Sequence, residues 1–145
     1  MINSIIEAIS LAIHEEFNEK EYETYMEEVE QELEEPCFFI SCINPTTKLF
    51  LGKRYFCKNM FCIQYFPESE EANRECNEVA ERLMECLEYI TVNGRLFRGT
   101  QMEGEVENEE KMLNFFVNYN CFLYKVEPQT SMEALESKSY VKEGG

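Results

Sequence analysis

Aspartate and tryptophan are absent from this chain, histidine occurs once, and glycine and proline are few. Each shortage closes a class of function. Without aspartate there is no Asp-rich calcium loop, no Walker-B magnesium ligand and no Asp member of a hydrolase triad. Glycine is scarce and no strand, glycine-rich turn and helix follow one another, so no phosphate-cradling loop is expected. The lone histidine, His14, adjoins Glu15 and Glu16 on the outer side of a helical pattern and reads as a solvated surface residue rather than the base of a Cys–His pair. Long apolar runs are missing too: no stretch approaches the ~18 residues of a membrane-spanning helix, and no membrane partner is expected. Positive charge is also short, with 13 basic against 29 acidic residues and a net charge of −16. Duplex affinity comes largely from Lys and Arg releasing counterions, so no direct sequence-specific nucleic-acid partner is expected.

What is present describes an ordinary globular domain. At 145 residues, with 11 Phe and 8 Tyr spread along the chain, a single core is within reach without metal or disulfide staples. Every acid is Glu, mostly in runs such as Glu27-Glu28, Glu34-Glu35 and Glu109-Glu110, which read as solvated faces rather than a catalytic carboxylate pair. The seven cysteines are odd in number. Cys37, Cys42, Cys57, Cys62 and Cys121 sit in apolar runs, and no basic-flanked leader with a small-residue cleavage site precedes them. They read as reduced core thiols in a cytosolic redox compartment. The five-residue spacing of Cys37 to Cys42 and of Cys57 to Cys62 turns each pair to opposite faces of a strand, so neither a metal site nor a cofactor is expected.

Ile2, Ile5, Ile6, Ile9, Ile13 and Phe17 recur at helical spacing, with Ser4 and Glu7 in the form of a capping box, and predict a helix over 2–19. The stretch 22–35 stays open between a short strand near Tyr22–Met26 and a Glu-rich helical turn. Cys37 to Ile43 is a β run ending at the turn Asn44-Pro45-Thr46-Thr47. Leu49-Phe50-Leu51 then leads through Gly52 into a strand over 54–66 whose core face is Tyr55, Cys57, Phe61, Ile63 and Tyr65, opposite Phe56, Lys58, Met60, Gln64 and Phe66. Ala72, Cys76, Val79, Ala80, Leu83, Met84, Leu87 and Ile90 keep a helical rhythm that ends near Asn93-Gly94. Two more strands, over 95–107 and 111–127, flank the acidic turn Glu107-Asn108-Glu109-Glu110. The second sets Leu113, Phe115, Val117, Tyr119, Cys121 and Leu123 against Asn114, Phe116, Asn118, Asn120 and Phe122. Gly94, Gly99 and Gly104 mark a strand start, a bulge and a bend. The stripe Phe115, Tyr119, Phe122 and Tyr124 lacks the surrounding Lys and Arg of a base-stacking platform and reads as core or subunit contact. The expected fold is α+β: a mainly antiparallel sheet of about four to five strands with two helices packed on one face. It comprises a single domain over 1–127 and a polar C-terminal arm over 128–145.

The segments Glu35-Pro36-Cys37-Phe38-Phe39-Ile40, Asn44-Pro45, Gly52-Lys53-Arg54-Tyr55 and Phe61-Cys62-Ile63-Gln64-Tyr65-Phe66-Pro67 carry a resemblance. Together with the Ile-rich N-terminal helix, the long helix after Pro67 and an ending near Met132, they are similar to the tail terminator family of phages and prophages of Gram-positive bacteria. The resemblance implies a structural, non-enzymatic protein. It would form a hexameric ring that caps the completed tail tube, stop tube polymerisation and present a surface for head–tail joining. Its partners would be copies of itself, the tube protein and the head–tail connector, in the host bacterial cytoplasm during assembly and then in the virion tail. The family offers no catalytic residues to carry over. A closed ring needs two different surfaces on each subunit, and we expect Lys53, Arg54, Tyr55, Arg95 and Arg98 to supply contacts to a neighbour's Glu, joined by Met132 and Leu135 of the arm. The alternative is an acidic DNA-mimic inhibitor, which requires Glu regularly spaced on one exposed face, whereas the acids here are dispersed. A small enzyme would instead require a perturbed Glu or Cys in a cleft.

Overall fold

Ile5, Ala8, Ile9 and Ile13 fall on one side of the first helix, α1 (Ile2–Glu16), and that side is buried. The computed structural model describes residues 1–27, 34–125 and 139–142. The helix starts at Ile2 with no side-chain cap, so Ser4 lies within it and the expected capping box does not form. The helix also stops short of residue 19, because Phe17 turns inward to pack on Tyr22 and Phe38, with ring centroids 5.4 and 5.0 Å away.

The remaining elements are β1 (Glu23–Tyr25), β2 (Cys37–Leu51), β3 (Arg54–Phe66), α2 (Ala72–Cys86), β4 (Tyr89–Val92), β5 (Arg95–Glu107), β6 (Met112–Lys125) and β7 (Ser139–Lys142). The strands form one sheet in the order β1-β2-β3-β6-β5-β4. β7 pairs with the end of β6 at Phe122 to Lys125, in the lane that β5 leaves beyond Tyr119. Among the described residues the sheet therefore has seven strands rather than four to five, and it is mixed, since β1 joins β2 in parallel. The three strands beyond the four long ones, β1, β4 and β7, are three or four residues long and owe their form to a neighbour's edge.

The expected turn at Asn44-Pro45-Thr46-Thr47 is instead strand: β2 runs on to Leu51, and the reversal is at Gly52, whose φ is +58°. β1 covers β2 only at Cys37, Phe38 and Phe39, so β2 is an edge strand from Ile40 onward. Pro45 sits on that edge, where its missing N–H costs no ladder bond. A register shift between Cys42 and Asn44 absorbs Ile43 as a bulge.

Alternation on β3 and β6 follows the sequence. Cys57, Phe61, Ile63 and Tyr65 meet Cys121, Val117, Phe115 and Leu113 across the ladder and are buried on one face. Both helices pack there: Ile5, Ile9 and Ile13 of α1 and Cys76, Val79 and Leu83 of α2 complete a single core with these residues. The second helix ends at Cys86 rather than near Asn93-Gly94. Ile90 fits the helical rhythm but belongs to β4, and Asn93 and Gly94, at φ 50° and 80°, make the two-residue turn into β5. Positive φ at both positions is what a type I′ hairpin turn demands.

The junction between α2 and the sheet is closely fitted. The Tyr119 hydroxyl donates to the Leu87 carbonyl at 2.6 Å, and the Gly99 N–H donates to the Glu88 carbonyl at 2.7 Å. A Cβ at Gly99 would lie 2.5 Å from the Leu87 oxygen, so Gly99 marks a close approach. The bulge predicted there falls just after it, between Thr100 and Glu103.

Candidate interaction surface

Charge is sharply segregated along this fold. No acidic residue occurs over 36–67, which carries Lys48, Lys53, Arg54 and Lys58, and none occurs over 112–125. The acids fall instead between Glu7 and Glu35, on α2 and its ends (Glu71, Glu75, Glu78, Glu81, Glu85 and Glu88) and along β5 and its turn (Glu103, Glu105, Glu107, Glu109 and Glu110). The hairpin of β2 and β3 is thus a basic element of an acidic protein.

Lys53, Arg54 and Tyr55 come together at the tip of that hairpin. Lys53 is exposed in the turn, while Arg54 and Tyr55 are half-buried. The Arg54 guanidinium stacks over Phe122, Tyr124 and Phe50 at 4.7, 5.5 and 5.8 Å from their ring centroids, and Phe122 also packs on Phe50 and Phe56 at 5.3 and 5.5 Å. Arg95 and Arg98 are exposed at the start of β5, with Arg98 6.0 Å over Tyr89. β3 and β5 both run antiparallel to β6, so both groups share one end of the sheet, on either side of β6. Met132 and Leu135 lie outside the described residues.

Two features escaped the sequence reading. The first is the apolar tip: Leu49, Phe50 and Leu51 are 64%, 57% and 68% exposed. Their signal was present as an apolar run beside Gly52, but a turn placed at Asn44 concealed it. The second is a groove of about 410 Å³ on the sheet face turned away from the helices, lined by Asn44, Thr46 and Lys48 of β2, Phe56, Lys58 and Met60 of β3, and Asn118 of β6. Asn118 is wholly buried. Its amide nitrogen donates to Gln101, while its Oδ1 has no hydrogen-bond partner.

A polar cluster on the other side joins α1 to α2 beside a cleft of about 420 Å³. The Tyr65 hydroxyl donates to Glu75 at 2.5 Å, and the same carboxylate accepts the N–H groups of Glu68 and Ser69 at 3.0 and 3.1 Å. Burial pushes the Glu75 carboxyl up, but these hydrogen bonds outweigh it and leave the group below the usual carboxylate range. Arg82 donates to the carboxylates of Glu16 and Glu19 at 3.1 and 2.6 Å and to the Glu16 carbonyl at 2.7 Å, with its guanidinium 4.1 Å from the Phe17 ring centroid. That hydrogen bond from Arg82 holds Glu19 at about 2. Satisfied in this way, Glu75 and Arg82 serve as ties between elements, and Glu75 lacks the raised pKa of a carboxyl general acid.

The thiols are equally quiet. Burial pushes Cys37 and Cys76 up to about 11 and Cys86 up to about 12, far from the thiolate a nucleophile or metal ligand needs. His14 is exposed on α1. Among the described residues no three His, Cys or Glu side chains converge as a metal site would require, and no helix is long and apolar enough to cross a membrane.

Two comparisons complete the description. The family model described as phage tail terminator protein matches residues 4–131. No curated protein matches the chain.

Proposed function

The chain belongs to the phage tail terminator family, a structural component of phage tails, and from this we propose that it closes into a hexameric ring on the end of a completed tail tube. There it stops further polymerisation and offers its free rim to the head–tail connector. The observation that carries the reading is the hairpin tip. Leu49, Phe50 and Leu51 expose more than half their surface next to one another, and a contiguous exposed apolar patch marks a contact surface. That tip seats on the tube. Lys53, Arg54 and Tyr55 on one side of β6, and Arg95 and Arg98 on the other, face the Glu residues of neighbouring subunits, with Met132 and Leu135 of the arm adding apolar contacts. Six strongly acidic chains repel one another, and screening over ~8 Å at physiological salt confines that repulsion. No chemical step is required of the ring. The DNA-mimic alternative loses ground because the carboxylates are dispersed over the stretch from Glu7 to Glu35, α2 and the β5 turn, beside a basic hairpin free of acids.

The test is tail assembly in cells lacking this chain, complemented by wild type or by L49S/L51S. Absence should yield overlong tubes without heads, wild type should restore one length, and the double variant should behave like absence while remaining folded. Tubes of normal length joined to heads in the absence of the chain would refute the proposal.

A further inference from the structure

Four buried side-chain polar atoms among the described residues have no hydrogen-bond partner, and three of them, Arg54 Nε, Asn118 Oδ1 and Asn120 Oδ1, share the sheet face that the helices leave uncovered. Buried polar groups are almost always satisfied, so this face is incomplete in the isolated chain. The groove around Asn118 lies on it. Lys48 and Lys58 line that groove, it contains no acid, and neither lysine forms an ion pair with a described residue. An occupant must therefore bring carboxylates for the lysines and apolar surface for Phe56 and Met60.

We propose that this groove receives the acidic turn between β5 and β6 of a second copy of the chain, and that this contact is the head-to-tail joint of the ring. The inference rests on the ring reading above and names its surfaces. Glu107, Glu109 and Glu110 are exposed at the turn and make no ion pair with a described residue. A copy cannot fill its own groove: Asn118 and Met112 are six residues apart on β6, roughly 20 Å at strand rise, and the turn leaves β6 toward β5 while the groove extends toward β2. Two complementary, non-overlapping patches on one chain are the requirement for a heterologous contact that closes a ring. Nucleic acid fits less well, since two lysines framed by Phe56 and Met60 neutralise little phosphate on a chain of charge −16.

The test exchanges the two charges. K48E/K58E reverses the groove, and E107K/E109K/E110K reverses the turn. Each is checked for native circular dichroism, and its assembly is followed by sedimentation and by electron microscopy of tube ends. Each variant alone should lose association by about a hundredfold or more. An equal mixture should restore rings of wild-type size, because alternating copies place a reversed turn in a reversed groove at every second joint and native partners at the others. Wild-type rings from either variant alone, or no recovery on mixing two folded variants, would overturn the proposal and leave the ring reading intact. Wild type that forms no ring in solution or on tube ends would sink both. Wild-type binding to a short DNA duplex, abolished by K48E/K58E, would assign the groove to nucleic acid instead.

Discussion

Replacing Gly99 with alanine puts the α2–sheet junction under a defined load. The new Cβ would lie 2.5 Å from the Leu87 carbonyl oxygen, 2.8 Å from the end of Met102 and 2.9 Å from a Val117 methyl. The Met102 terminus can swing aside, but the carbonyl belongs to backbone and must withdraw by about 0.9 Å to regain an ordinary 3.4 Å contact. That oxygen accepts the buried Tyr119 hydroxyl at 2.6 Å, and such a retreat stretches the bond to the limit of hydrogen bonding. Overpacking costs about 1–3 kcal/mol and the weakened buried bond a further ~1–3 kcal/mol, while the stiffer unfolded chain returns about 0.4–1 kcal/mol. We expect Gly99→Ala to destabilise by about 2–4 kcal/mol in urea unfolding, with an unchanged m-value. Gly104→Ala is the internal control, because its Cβ would meet nothing closer than 3.4 Å, and it should fall within about 1 kcal/mol of wild type. Tyr119→Phe should cost about 1–3 kcal/mol alone. Combined with Gly99→Ala it should cost clearly less than the sum, since the first change has already broken the bond. A Gly99→Ala protein as stable as wild type, or strict additivity in the double variant, would refute the shared-carbonyl argument.

Three further outcomes follow from the same geometry. Glu75 has a folded pKa below its unfolded value of about 4.3. Its contribution is therefore complete above that pH and fades as pH falls through the folded value; Glu75→Gln should lower stability at pH 7 and converge with wild type in acid, and parallel curves would disprove the coupling. Arg54→Ala should destabilise by about 1–2 kcal/mol and Arg54→Lys by less, because lysine retains the charge but not the planar stacking on Phe122 and Tyr124; hydrogen exchange at 49–51 and 122–124 reads the loosening, and unchanged exchange in Arg54→Ala counts against the stack. L49S/L51S should change unfolding free energy by no more than about 0.5 kcal/mol, since both residues are more than 60% exposed. A larger loss would assign the tip to the fold rather than to a partner.

Much of the sheet was legible because β3 and β6 are central strands with one face buried against helices. That condition imprints a period of two, and the core residues of both strands could be named from it. The acidic turn between β5 and β6 was legible for a similar reason: it interrupts two alternating runs. The errors have definite causes. Asn44-Pro45 is turn chemistry, but an edge strand tolerates proline equally well, and whether β2 is an edge at that point depends on how far β1 extends beside it. Ile90 continued the rhythm of Leu83 and Leu87 by coincidence, while the stronger local signal was Asn93-Gly94 with apolar residues on either side. Tyr89 to Val92 is only four residues long, too short to impose its own period. The groove was beyond reach, because Asn44, Lys58 and Asn118 converge only once the order β2-β3-β6 is known.

The two faces of the sheet differ in what they leave undone. On the helix side the large buried polar groups are paired: Tyr65 with Glu75, Arg82 with Glu16 and Glu19, and Tyr119 with Leu87. On the other side Arg54 Nε, Asn118 Oδ1 and Asn120 Oδ1 lack partners, against Thr24 Oγ1 on the helix side among the described residues, and the apolar tip of the β2–β3 hairpin stands in solvent. A domain under selection for its own stability alone has no reason to keep both features on one surface, since each costs free energy that a small substitution would recover. Their concentration on the acid-free strands of a strongly acidic chain is what a subunit needs if its stable form is the assembled one, with the exposed tip covered by its neighbours.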